Sequence, residues 1–178
     1  IDKIIKDITP ERINTNNLKI CTVGRIGFQK NPKLFNEIAE RFPQYTFTWI
    51  GDGELKESLT SKNIEITGWA SRENVLKQLC KNDIFILPSL WEGLPIALLE
   101  AMYLGKICIV SNVIGNRDVI KNGENGFVCN NLNEYENVLN SIIDNKVDIK
   151  EIQENVICDI KNNYTITNMC KKYKEIYN

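Results

Sequence analysis

The sequence of 178 residues contains no histidine, and its six cysteines are scattered without a Cys-x-x-Cys pair. The lack of histidine removes the most common general base and, with this cysteine spacing, argues against a zinc site or a Cys–His nucleophile. Scattered cysteines of this kind are typical of reduced, partly buried thiols in a cytosolic protein. Any catalysis by this chain is therefore expected to depend on carboxylates, backbone amides and cations.

Long apolar runs and an excess of charge are also absent. No segment approaches the roughly 20 apolar residues that cross a bilayer, and the first residues lack the basic-then-apolar pattern of a signal peptide. The formal net charge is −1, so no global field favours nucleic acid as a partner. Neither G-x-G-x-x-G nor G-x-x-x-x-G-K-[ST] occurs, which argues against a common NAD site and a P-loop. Asp52 and Glu54 in a short acidic loop are weak evidence for a metal, so no metal or cofactor is predicted.

Short β-rich runs alternate with amphipathic segments along the chain. The predicted strands, most of them continuously apolar as in a sheet covered on both faces, are 18–24, 46–51, 64–68, 83–88, 106–111 and 125–129. The predicted helices are 31–42, 52–62, 71–82, 95–104, 116–123, 132–145 and 165–178, with a polar stretch joining the last two. This alternation predicts an α/β fold with a doubly wound parallel sheet of about six strands. Residues 1–17 resemble a linker, and residues 18–178 form the predicted domain.

The stretch "SLWEGLPIALLEAMYLGKICI" at 89–109 contains two notable carboxylates. Glu100 stands inside an apolar run from Ile96 to Met102, and Glu92 stands just before that run. A carboxylate is almost never buried without a partner, because the loss of its hydration is costly. Glu100 is therefore expected to face a hydrogen-bond donor.

Unusual residues also follow three predicted strands, where an open parallel sheet binds its ligands. They are Gly24, Arg25, Gly27 and Lys30 after the first strand, Glu92 and Gly93 after the fourth, and Gly115 and Asn116 after the fifth. Cations on a glycine-containing loop, with helices that begin nearby, attract an anion such as a diphosphate. The two glutamates would repel that anion, so they are expected to face hydroxyl groups. A diphosphate flanked by polyols is a nucleotide sugar. Glu100 is therefore expected to face a hydroxyl group of a sugar ring, the ribose.

Simpler interpretations of these residues stay open at this point. Arg25 and Lys30 could be solvated surface cations. Glu92 could stabilise a helix dipole, and Glu100 could lie on a narrow exposed edge of its helix. From the residues alone, the sequence supports a site for an anion and a polyol.

Three longer segments resemble a known family. They are "VGRIGFQKNPKLFNEIAERFPQYTFTWIGDGEL" at 23–55, "ITGW" at 66–69, and "DIFILPSLWEGLPIALLEAMYLGKICIVSNVIGNRDVIKNGENGFV" at 83–128. The sequence resembles the C-terminal domain of glycosyltransferase family four, the retaining GT-B enzymes often called group 1 glycosyltransferases. The resemblance extends from about Leu18 to Val128, and its most specific element is the pair of glutamates separated by seven residues. It implies a Rossmann-like domain that forms the C-terminal half of a GT-B fold.

The resemblance also implies roles for single residues. Arg25 and Lys30 match the basic pair on the donor diphosphate. Glu92 matches the glutamate that contacts hydroxyls of the transferred sugar, and Glu100 matches the one on the ribose. The resemblance thus names Arg25, Lys30 and Glu92 as catalytic residues.

Other donor-binding positions match mainly through their backbone. They are Gly24 beside the basic pair, Gly93, Leu94 and Pro95 around sugar and phosphate, and Gly68, Trp69 and Ala70 near the base. Gly115 and Asn116 stand where the family has a double glycine, so this loop departs from the pattern.

The resemblance also implies a partner domain. The N-terminal domain of such enzymes carries the acceptor site, and this sequence matches only the donor-binding half. The implied reaction is front-face displacement from a nucleotide sugar, with a UDP-sugar slightly favoured over a GDP- or ADP-sugar and no metal. The acceptor would be a glycan or a lipid-linked sugar in surface polysaccharide biosynthesis, in the cytoplasm or at the inner face of the membrane. The alternatives are a nucleotide-sugar epimerase domain and a non-catalytic nucleotide-sugar-binding module.

Overall fold

A computed structural model describes residues 13–177 of the chain, without some side chains in its last helix. Most of the predicted linker, residues 1–12, lies outside the described residues. Within them, six parallel strands form one sheet in the order β3-β2-β1-β4-β5-β6. The strands are β1 (Lys19–Val23), β2 (Thr46–Ile50), β3 (Ile64–Ile66), β4 (Ile84–Leu87), β5 (Ile107–Ser111) and β6 (Phe127–Cys129). All six predicted strands are confirmed, with slightly shorter bounds.

Helices cover both faces of this sheet. They are α1 (Pro32–Arg41), α2 (Arg72–Cys80), α3 (Ile96–Tyr103), α4 (Ile114–Arg117), α5 (Leu132–Ile143), α6 (Ile149–Asn163) and α7 (Ile166–Tyr177). One buried cluster joins the sheet to α1 and α5, and a second joins it to α2, α3 and the buried face of α6. Both faces of the central strands are thus buried, which explains their continuously apolar sequences.

Local sequence sets several helix boundaries as predicted. Ser71 caps α2, and its side chain accepts a hydrogen bond from the N–H of Asn74 at 3.4 Å. Pro95 immediately precedes α3. Gly105 lies just beyond the end of α3 with a φ of 67°, a left-handed conformation that glycine adopts without strain.

Two helix predictions are wrong, and one helix was not predicted. Residues 52–62 hold only a 3-10 turn at Lys56–Ser58, because the segment before it is tied to Ile26: Ile26 N–H donates to Asp52 O and Leu55 N–H donates to Ile26 O. The helix predicted at 116–123 is the shorter and earlier α4. The polar stretch before the last helix contains α6, which was not predicted.

The strand order places a topological switch point beside β1. The chain runs outward from β1 through β2 to β3, and then returns to the other side of β1 to form β4. The connections that leave the carboxyl ends of β1 and β4 therefore lead to helices on opposite faces of the sheet, and the crevice at this point is where doubly wound sheets bind ligands.

Candidate functional site

Two loops meet at the carboxyl ends of β1 and β4. Residues 24–31 connect β1 to α1, and residues 88–95 connect β4 to α3. The N–H of Leu90 donates to Gln29 O at 2.8 Å, and Gln29 Nε2 donates to Trp91 O at 2.9 Å. These bonds hold the two loops together, so the charged side chains that they carry have defined relative positions.

An ion pair between Lys30 and Glu92 lies at the centre of this crevice. Lys30 Nζ is 2.6 Å from Glu92 Oε1, and the two side chains are only 17% and 6% exposed. Gly24, with a φ of 143°, leaves room for the lysine, since a Cβ at this glycine would be 3.1 Å from Lys30 Cε. The structure thus brings together the cation predicted for a phosphate and the carboxylate predicted for sugar hydroxyls. Each is the counter-ion of the other.

Arg25 lies at the mouth of the crevice and is much more exposed. Its Nε donates to Glu54 Oε2 at 2.9 Å, with both side chains largely in solvent. A backbone hydrogen bond and the Arg25 guanidinium hold the pKa of the Glu54 carboxyl below its usual range. An exposed pair of this kind contributes little to stability, so Arg25 can exchange Glu54 for a ligand anion at small cost.

A pocket of about 670 Å³ opens beside Arg25. Its wall is partly apolar and partly backbone, and it includes Val23, Ile50, Gly51, Trp69, Ala70 and Val75. Trp69 is 84% exposed, and the preceding Gly68 has a φ of 74° that turns the chain at this point. A cleft with apolar walls and backbone polar groups is typical of sites for small, flat ligands such as a nucleobase.

Glu100 is buried, as its apolar surroundings predicted, and its partner is Arg72. Arg72 Nε donates to Glu100 Oε1 at 3.1 Å, and Nη2 lies 3.0 Å from the same oxygen in the ion pair. Arg72 is the first residue of α2, and it follows the segment whose Trp69 and Ala70 line the pocket. Glu100 therefore has a donor within the protein, which the sequence analysis missed, and its contact with ribose hydroxyls stays a prediction.

The loop after β4 contributes mainly backbone groups to the crevice. Gly93 and Leu94 are exposed, whereas Pro95 is buried at the start of α3. Phe28 and Trp91, from the two facing loops, are both exposed and lie with ring centroids 6.0 Å apart. The N-terminal end of α3 and the exposed backbone before it are thus accessible beside the Lys30–Glu92 pair.

Gly115 and Asn116 serve the packing of this loop. A Cβ at Gly115 would clash with the backbone oxygen of Gly93 and lie 2.6 Å from that of Glu92. Asn116 is fully buried, and its Nδ2 donates to Ser111 O and Oγ at 3.1 Å each. The Asn116 side chain is therefore turned inward and not toward the crevice, and the predicted place of Gly115 and Asn116 in the donor site stays a prediction about their backbone.

In the part of the chain that the structure describes, no group of three or more His, Cys, Asp or Glu residues is placed to hold a metal ion. Burial raises the pKa of the Cys21 and Cys108 thiols, and raises that of Cys129 to about 12. None of the helices in residues 13–177 combines the length and the apolarity needed to cross a membrane.

The fold is that of a Rossmann-like α/β protein, and its switch-point crevice carries a paired lysine and glutamate. The sequence comparisons then give the family. The model of the family described as "Glycosyl transferases group 1" matches residues 3–161, and the chain belongs to this family.

Relatives and solved structures agree with this assignment. The UDP-Gal:alpha-D-GlcNAc-diphosphoundecaprenol alpha-1,3-galactosyltransferase of Escherichia coli is 35% identical over 182 residues, which cover 93% of this chain and 46% of the relative. The structure of the lipopolysaccharide outer core galactosyltransferase WaaB in its apo form superposes with a TM-score of 0.82 and 27% identity, over 98% of this chain and 53% of that one. The Rossmann-like α/β prediction is confirmed by this match to a GT-B structure.

A third match shows the fold alone. The Anabaena protein HepE in complex with UDP-glucose has a TM-score of 0.79 and 19% identity, over 91% of this chain and 49% of that one. The chain thus spans about half the length of the relatives that it matches.

Proposed function

We propose that these residues form the donor-binding, C-terminal half of a retaining GT-B glycosyltransferase of family four. The observation that carries the proposal is the Lys30–Glu92 pair at the switch point. A diphosphate requires cations, and sugar hydroxyls require an acceptor such as a carboxylate. In the crevice, the cation Lys30 and the carboxylate Glu92 are in direct contact. Arg25 lines a pocket whose size suits a nucleobase.

In the proposed reaction, Arg25 and Lys30 bind the donor diphosphate. Negative charge develops on this group as its bond to the sugar breaks, so fixed cations stabilise the transition state more than the ground state. Lys30 is held in position by Glu92 before the donor arrives, which reduces the reorganisation needed. The acceptor hydroxyl would attack from the face on which the diphosphate departs, and the departing phosphate would receive its proton.

The other contacts orient the donor. Glu92 Oε2 would accept hydrogen bonds from hydroxyls of the transferred sugar, while Oε1 stays with Lys30. The exposed backbone of residues 93–95 and the positive end of the α3 dipole would face the sugar and phosphate. Glu100 would accept from the ribose, and Gly68 and Trp69 would lie near the base.

The relatives indicate the class of substrate. The Escherichia coli relative is named for UDP-Gal and a diphosphoundecaprenol-linked acceptor, and HepE was solved with UDP-glucose. These names support a UDP-sugar donor and a lipid-linked or glycan acceptor in surface polysaccharide biosynthesis. A lipid-linked acceptor would place the full-length enzyme at the inner, cytoplasmic face of a membrane.

Only part of such an enzyme is present here, because the chain spans about half of its relatives. In the proposed arrangement residues 1–17 belong to an interdomain linker, and the acceptor site lies on the other domain. Without that domain the crevice stays open to water, where cations act at high dielectric and stabilise less charge. The 178 residues alone are therefore expected to bind a donor and to transfer no sugar.

A thermal-shift panel tests the proposal. UDP, GDP, ADP and UDP-sugars are added to the 178-residue chain, with uridine as the control that lacks phosphate. A ligand at ten times its Kd stabilises by about 1.4 kcal/mol, or roughly 3–6 °C in Tm. We expect this shift for a nucleoside diphosphate, with or without EDTA, and none for uridine at the same concentration. No shift with any diphosphate at millimolar concentration would contradict the proposal.

A further inference from the structure

The contact between Arg72 and Glu100 uses only half of the carboxylate. Arg72 Nε donates to Oε1 at 3.1 Å, and Nη2 lies 3.0 Å from the same oxygen as an ion-pair contact. The second oxygen, Oε2, makes no hydrogen bond to the described residues, and it is not among their fully buried unpaired atoms. Oε2 is therefore left with an opening to solvent, although the Glu100 side chain as a whole is only 8% exposed.

The position of Arg72 connects this carboxylate to the segment that lines the pocket. Arg72 begins α2 directly after Trp69 and Ala70, which line the pocket together with Val75 of the same helix. Its own side chain is 62% exposed, whereas that of Glu100 is 8% exposed. The pair also connects α2 to α3.

We propose that Arg72 is a positioning residue that fixes Oε1 and so directs Oε2 of Glu100 at the ribose hydroxyls of a bound nucleotide. The inference rests on the proposed function, in which Glu100 binds the ribose. Arg72 thereby sets the preference for ribonucleotides over analogues that lack these hydroxyls. It contacts the carboxylate and not the ligand.

The chemistry of the guanidinium explains why arginine suits this task. Its nitrogens form a rigid planar fork, so two of them beside one oxygen hold the position of Oε1 and leave Oε2 available. A lysine would supply the charge through a single flexible ammonium group, and it would hold Oε1 less firmly. Without any partner, a carboxylate this deeply buried loses solvation that nothing replaces.

Titration calorimetry with two ligands tests the inference. UDP and 2′,3′-dideoxyuridine diphosphate are titrated into the unmodified chain, Arg72→Ala and Arg72→Lys. Hydrogen bonds to a charged group are strong enough that the unmodified chain should bind UDP about tenfold or more tightly than the dideoxy analogue. In Arg72→Ala this ratio should fall to about one, through loss of UDP affinity alone, and Arg72→Lys should restore it in part.

A matched control is Arg41→Ala, which breaks an ion pair with Glu136 between α1 and α5. This variant should keep both affinities. Equal loss for the two ligands in Arg72→Ala, or no loss, would overturn the inference, because a purely structural role does not depend on ribose hydroxyls. Should Arg72→Ala fail to fold, a ratio in Arg72→Lys equal to that of the unmodified chain would overturn it.

The unmodified chain separates the two proposals. If it binds neither ligand, the proposed function fails and this inference fails with it. If it binds both ligands equally well, the donor site stands, but the ribose contact of Glu100 and the role of Arg72 are refuted. Only ribose discrimination that depends on Arg72 supports the inference.

Discussion

Lys30 and Glu92 lie 62 residues apart in the sequence and form a hydrogen-bonded ion pair of 2.6 Å between the loops that follow β1 and β4. Both side chains are mostly buried, so each neutralises a charge that would otherwise be poorly solvated. The same two side chains therefore stabilise the crevice and are the groups that are proposed to bind the ligand. In the proposed complex, a ligand phosphate would meet a lysine that is already oriented, and a sugar hydroxyl would meet a carboxylate whose position is already set.

The coupling of this pair can be measured with a double-mutant cycle. Lys30→Met or Glu92→Gln alone leaves a buried group unpartnered and should lower the free energy of unfolding by about 2–4 kcal/mol, somewhat below the loss for a fully buried pair. The double variant should lose less than the sum of the two. Urea denaturation provides the measurement, and Lys33→Met, in the exposed Lys33–Glu37 pair, is the control with little loss. Strictly additive losses would show that the two charges are not coupled.

Arg25 should affect binding and not stability. Its partner Glu54 is exposed, so Arg25→Ala should leave the Tm unchanged. It should weaken UDP binding by about 1.5–3 kcal/mol, the contribution of a hydrogen bond to a charged group. Calorimetry with UDP and uridine checks this, because uridine affinity should not change. Glu54→Ala is the companion variant, and it should not weaken UDP binding; an equal loss for uridine and UDP in Arg25→Ala would mean that Arg25 does not touch phosphate.

Gly115 and Gly93 offer a matched pair of substitutions. Gly115→Ala would push a Cβ into the backbone oxygens of Glu92 and Gly93, so it should lower the Tm and the UDP affinity together. Gly93→Ala meets no atom within 4 Å in the ligand-free chain, so it should keep the Tm. If the backbone at Gly93 approaches the donor as proposed, this second variant should still weaken binding of a UDP-sugar. Thermal denaturation and calorimetry separate the two effects, and a stable Gly115→Ala with full affinity would contradict the packing argument.

The sheet could be predicted from the sequence because its signals are local. Continuously apolar runs such as "IFIL" in β4 identify buried parallel strands wherever they stand in the chain. The position of Lys30 and Glu92 after strands also followed from local order. Once both strands lie beside the switch point, their loops must meet at one edge of the sheet.

Helix α6 was missed although its signal is present. Ile152, Val156 and Ile160 are buried at helical spacing, and Asp148 caps the helix by accepting a hydrogen bond from the N–H of Glu151 at 3.0 Å. The polar composition of the stretch hid this periodicity. A count of apolar positions against the 3.6-residue period would have found the helix.

The partner of Glu100 could not be predicted in the same way. Arg72 is 28 residues away, and the contact depends on how α2 and α3 pack side by side on one face of the sheet. Sequence order shows only that a buried carboxylate needs a donor. Asn116 is a similar case, because its inward bonds to Ser111 depend on the close approach of α4 to the loop before α3.

Titration calorimetry of the 178-residue chain with UDP, UMP and uridine is the most direct test of the central claim, that the switch-point crevice is a nucleoside-diphosphate site. The account predicts one-site binding of UDP between micromolar and millimolar Kd, about 4–8 kcal/mol. Affinity should fall from UDP to UMP to uridine, should weaken as salt is raised, and should be lost in Lys30→Met. Equal affinities for UDP and uridine, or no binding of UDP at millimolar concentration by a chain shown to be folded, would contradict it.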